Sequence, residues 1–136
     1  MNALSIVFVF KIAATVLVWC APLILFPADW LAAAGFPAVA EPMFVRMLGW
    51  AYLALCVGYV FGLRESLRGR QAPAAIWTGI VSNGGACVYL LYFGVTGAWV
   101  EWGGFIRFVA WNSMLATLLI TAGLVEYGVR RPMSPR

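Results

Sequence analysis

Residues 3–26 read ALSIVFVFKIAATVLVWCAPLILF, and Lys11 is the one charged side chain among them. At about 1.5 Å of rise per residue, a helix of that length crosses the roughly 30 Å hydrocarbon core of a bilayer. Three further apolar runs follow, Met43 to Leu63, Ala74 to Val95 and Phe105 to Val125. The pieces between them, PADWLAAAGFPAVAEP (27–42), RESLRGRQAP (64–73) and TGAWVEWGG (96–104), hold the prolines, glycines and charges that end helices. Composition agrees with this reading. Of 136 residues, 64% are apolar and 10% charged, with a mean hydropathy of +0.92, whereas a soluble domain is about half apolar and about a quarter charged. The expected fold is all-α: an integral membrane four-helix bundle forming one domain over 1–136, with spans at about 3–26, 43–63, 74–95 and 105–125. The first run is read as a retained span, because no basic cluster precedes it and more spans follow.

The net charge of +4 is distributed as in a membrane protein and not as in a nucleic-acid binder. Three arginines fall in the 64–70 connection and three in the tail EYGVRRPMSPR, while the other two connections hold neither Lys nor Arg. Positive charge is retained in the cytoplasm, so both termini are expected inside a bacterial inner membrane, with Asp29, Glu41 and Glu101 outside. The tail is expected to fray. Trp30, Leu31 and Phe36 suggest that the first outer connection lies in the interface.

The counts also exclude chemistry. Without histidine, and with Cys20, Cys56 and Cys87 each alone in an apolar run, the chain offers no CxxC pair, His-ligated haem, zinc site or His proton relay. No cofactor and no metal site is expected, and the cysteines are read as small apolar fillers.

A shift of 61 residues lays Phe44-Val45-Arg46-Met47-Leu48-Gly49-Trp50 over Phe105-Ile106-Arg107-Phe108-Val109-Ala110-Trp111, and also matches Gly62-Leu63 to Gly123-Leu124 and Glu65 to Glu126. An intramembrane arginine with a tryptophan four residues on is uncommon. The pattern suggests two helical hairpins as a parallel repeat about an axis along the membrane normal.

The candidate ligand-binding residues are the polar groups inside spans. Arg46 and Arg107 each stand one turn inside a helix, with Trp50 and Trp111 a turn further on the same face. Either each arginine snorkels toward Glu41, Glu101 or a lipid phosphate and stacks on its tryptophan, or the two converge on an anionic or quinone-like ligand. Lys11 lies at the other depth, with no acid at its level; it either snorkels or is buried at a functional site. Asn83 and Asn112 fall near the midplane beside Ser82, Ser113 and Thr117. They either join helices, with Gly84 and Gly85 permitting close approach, or line a ligand pocket.

With the arginine entering span two (Arg46), the following Gly49 and Gly58, and four spans in so short a chain, FVRMLGWAYLALCVGYVFGLR and its setting resemble the DoxX-like group of small bacterial membrane proteins. The resemblance implies a non-catalytic accessory subunit, in a group some of whose members accompany quinone-linked sulfur oxidation or redox-stress complexes; it carries over no catalytic residue. The functional expectation is therefore a component that binds a lipophilic or anionic ligand, such as a quinone, alongside membrane lipids and a membrane-protein partner or a second copy. A small dimeric anion channel or transporter and a structural subunit of a larger complex are the alternatives. An enzyme would need an intramembrane acid or base, and Lys11 is the one such group.

Overall fold

A computed structural model describes residues 2–36 and 42–131. Glu41, expected to face outward near Arg46, and Arg136 of the basic tail lie outside the described residues. The first span, α1 (Ala3–Leu25), starts at Asn2, whose side-chain oxygen accepts the Ser5 N–H at 2.8 Å. Its helix widens to a π-helical turn over Val16–Cys20. Pro22 explains the widening, because proline has no N–H to give and its ring crowds the carbonyl four residues back. A short helix, α2 (Ala28–Ala33), follows. The remaining spans are α3 (Met43–Leu67), α4 (Pro73–Val95) and α5 (Gly104–Arg130), the last turning π-helical over Val125–Arg130. All four spans are long and apolar enough to cross a membrane, and the chain is a multi-pass membrane protein with an all-helical fold.

Two ends differ from the sequence reading. Helix α3 runs on past Leu63 to Leu67, and α5 past Val125 to Arg130, into the segment expected to fray. Loss of hydropathy marks where the hydrocarbon ends, whereas a helix continues for as long as its backbone bonds and side-chain pairs hold. Here Glu65 pairs with Arg68 and Arg70 at 3.3 and 2.6 Å, and Glu126 with Arg130 and Arg131 at 3.6 and 2.8 Å. The repeat thus places a glutamate with its own two arginines at the end of each of these spans.

The spans pack in ring order, α1 on α3, α3 on α4, α4 on α5 and α5 back on α1, with the closest packing inside the two hairpins, α1–α3 and α4–α5. The core lies toward the face that carries the termini, termed here the terminal face. Leu4 and Phe8 of α1, Tyr59 of α3, Ile76 of α4, and Ile120 and Leu124 of α5 meet there, all fully or nearly buried. Polar bonds fasten the same face. Ser5 and Ser66, both 0% exposed, share a hydroxyl bond of 2.9 Å, Asn2 Nδ2 donates to the Ser66 carbonyl at 2.8 Å, and Gln71 Nε2 donates to the Gly128 carbonyl at 3.2 Å.

Close helix approach falls at Gly79 and not at the expected Gly84–Gly85 pair. A methyl at Gly79 would stand 2.5 Å from Leu124 Cδ1, whereas Gly84 has one neighbour at 3.7 Å and Gly85 none within 4 Å. At the opposite, loop face the two connections clasp backbone to backbone. Gly103 N–H donates to the Gly35 carbonyl at 3.0 Å, and Gly35 has φ of 99°, a conformation open to glycine.

Candidate functional site

Between the packed terminal half and the clasped loops, the bundle holds a half-open cavity of about 960 Å³. Its walls are helical stripes: Lys11, Thr15 and Val18 on α1; Asn83, Ala86, Leu90 and Phe93 on α4; Asn112, Ser113, Ala116 and Ile120 on α5. Each stripe recurs every three or four residues, the spacing that puts side chains on one helix face. Helix α3 adds Tyr52 and Leu55. Toward the loop face the lining is indole: Trp99 and Trp102 stack at 5.7 Å between ring centroids, and Phe36 stands 6.3 Å from Trp102.

The terminal end of the cavity is polar. Lys11 Nζ lies 5.5 Å from the Tyr59 ring centroid, and the Tyr59 hydroxyl shares a 2.7 Å hydrogen bond with Ser82 Oγ. Asn83, 1% exposed, donates Nδ2 to the Gly79 carbonyl of its own helix at 2.6 Å, and its Oδ1 has no hydrogen-bond partner among the described residues. Asn112 likewise donates within its own helix, to the Phe108 carbonyl at 2.8 Å. The two amides therefore share a cavity without joining their helices. Lys11 forms no ion pair among the described residues, and the ring face of Tyr59 is the partner its amine meets. No group of His, Cys, Asp and Glu among the described residues could hold a metal ion.

Arg46 and Arg107 line no common cavity. The Arg46 guanidinium donates to the Leu23 carbonyl at 2.8 Å and to the Phe26 carbonyl, closing the end of α1. Those carbonyls belong to the last turn and its exit, where the helix's own donors have run out. The corresponding carbonyls at the end of α4 are met differently: Thr96 Oγ1 donates to the Tyr92 carbonyl at 2.9 Å and reaches Phe93 at 3.4 Å. Arg107 is left without a protein hydrogen bond among the described residues and borders a separate hollow of about 340 Å³ with Gly94, Gly97 and Trp111. Neither arginine lies over its tryptophan in a cation–π contact. Trp50 is exposed, and Trp111 packs edge-on to Trp99 at 5.2 Å.

Of the residues singled out in the sequence, Lys11, Asn83 and Asn112 thus share one cavity. Arg46, Arg107, Trp50 and Trp111 lie outside it. The sequence reading missed Tyr52, Tyr59 and the role of Trp99 and Trp102 as cavity wall, since isolated aromatics in apolar runs carry no signal of what they face. The polar, glycine-rich patch Ser82-Asn83-Gly84-Gly85 was the available clue. No protein-family model, curated protein or solved structure matches the chain.

Proposed function

We propose that this protein is a non-catalytic component of a bacterial inner membrane, with both termini in the cytoplasm, that binds a lipophilic molecule in the cavity between its hairpins. The observation that carries the reading is the pairing of a large, mostly apolar cavity with a lysine that has no ion-pair partner among the described residues at its polar end. An intramembrane ammonium beside a cavity is a functional-site hypothesis by default, because hydrocarbon neither solvates nor pairs it. The cavity volume suits an organic ligand, and Lys11 suits a carbonyl, hydroxyl or anionic oxygen on its head. A quinone-like molecule and the DoxX-like resemblance both fit this proposal. The pore alternative is disfavoured by Leu4, Phe8, Tyr59, Ile76, Ile120 and Leu124, whose packing fills the terminal half.

Native mass spectrometry of gently extracted protein tests the reading. A retained small lipophile that is lost in Lys11→Met and kept in Arg46→Met supports it. A bare wild-type chain, or retention that ignores Lys11, overturns it.

A further inference from the structure

We infer that the head of the ligand carries a hydroxyl, and that this hydroxyl donates to Asn83 Oδ1 while an oxygen of the same head accepts from Lys11. The inference rests on the cavity being a ligand site, and it narrows what the site takes. Asn83 is buried, lines the cavity, and holds an acceptor with nothing to accept from. Its amide cannot simply be turned over. Nδ2 meets the Gly79 carbonyl at 2.6 Å, and the reversed amide would set two carbonyl oxygens against each other. The acceptor is therefore fixed by the fold, and an unfilled buried acceptor is unfavourable.

The neighbouring groups do not fill it. The Tyr59 and Ser82 hydroxyls are engaged with each other at 2.7 Å, and Ser82 Oγ also faces the Gly79 carbonyl at 3.4 Å. Lys11, whose amine lies on the Tyr59 ring, is placed in the same polar cluster and brings donors alone. The cluster thus presents one unmet acceptor and one unmet set of donors. A carboxylate satisfies the lysine and leaves Asn83 unpaired; an ammonium head does the reverse and repels Lys11; a ketone or ether lacks the donor. A hydroxyl does both, and the aromatic lining, with Trp19 and Tyr52 at 6.4 Å between centroids, favours that hydroxyl on a ring.

The probes are a dodecyl phenol and its methyl ether, which differ in the donor and in the methyl that replaces its hydrogen. Each is titrated calorimetrically into lipid nanodiscs holding the full chain, with empty nanodiscs subtracted. The phenol is expected to bind about tenfold more tightly than the ether, the worth of one buried hydrogen bond. In Asn83→Leu the two are expected to bind alike. Equal affinities in the wild type overturn the hydroxyl requirement while leaving the ligand site in place. Absence of binding by either probe overturns the site and this inference together. The wild-type comparison needs no variant, so it decides the matter even where Asn83→Leu fails to fold.

Discussion

Replacement of Arg46 by methionine removes a cation from the first turn of α3, a position the helix dipole disfavours by about 0.3–1 kcal/mol. On local grounds alone the change would be neutral or mildly stabilising. The structure argues for the opposite sign, because the same guanidinium closes the end of α1 through Leu23 and Phe26. The bond to Leu23 is partly buried, and a hydrogen bond from a charged donor contributes about 1.5–3 kcal/mol. The bond to Phe26 is exposed, so water replaces much of it and its share is under about 1 kcal/mol. The expected net loss is about 0.5–3.5 kcal/mol once the dipole term is returned. Arg107→Met, at the matching position of the repeat, breaks no protein hydrogen bond among the described residues, so the dipole term stands alone and stability is expected to be unchanged or to rise by under about 1 kcal/mol. Arg46→Lys, whose compact ammonium reaches one carbonyl in place of two, should fall between. Reversible unfolding in mixed micelles of rising dodecyl sulfate content, followed by circular dichroism, measures all three. Equal losses for the two methionine variants, or the larger loss at Arg107, would refute the assignment of Arg46 as the cap of α1.

Phe8→Ala empties the centre of the core, where the ring is 0% exposed; since lipid is as apolar as the core, only the packing term is lost, and the same unfolding assay should show about 1–3 kcal/mol. Gly35→Ala places a methyl 2.6 Å from Gly103 Cα at a φ of 99° and should part the two connections, read as faster proteolysis in the 27–42 and 96–104 connections with the helix content unchanged. In a chain with Cys20, Cys56 and Cys87 changed to alanine, Glu101→Cys should react with an impermeant maleimide on intact spheroplasts, and Arg68→Cys only after the membrane is opened. The reverse pattern would invert the proposed orientation.

The spans were legible because each depends on its own residues. A run such as 3–26 is apolar wherever the other helices stand, and arginine placement sorts the connections without reference to packing. What each polar residue meets was not legible, because it depends on partners in other spans. Arg46 and Arg107 look equivalent in sequence, yet one finds the end of α1 and the other finds Thr96 already at the end of α4. The two connections preceding these arginines differ in length and composition, so a motif repeated within helices meets unlike surroundings at their ends. Lys11, Tyr59 and Ser82 come from three helices, and no spacing in one dimension announces their meeting. Asn83 and Asn112 were open to two readings, and each bonds to a carbonyl of its own helix and not across to the other.

A bundle in lipid gains little by transferring apolar side chains from acyl chains to a helix interface, so close packing and polar bonds must hold it together. Both are concentrated at the terminal face, in the cluster around Phe8 and Tyr59 and in the bonds joining Asn2, Ser5 and Ser66. The loop half is tied by fewer means: the Gly35–Gly103 clasp, the Arg46 cap and the ring contact of Phe36 with Trp102. This division is what permits a large cavity in so short a chain. The hairpins are anchored at one end and bridged at the other, so the space between need not be filled by the protein's own side chains. In that space the Lys11 amine, which among the described residues meets the Tyr59 ring and no counter-ion, and Asn83 Oδ1, which has no hydrogen-bond partner among them, stand at the boundary between the two halves, where a ligand of the proposed kind entering from the open half would come to rest with its head against the packed one.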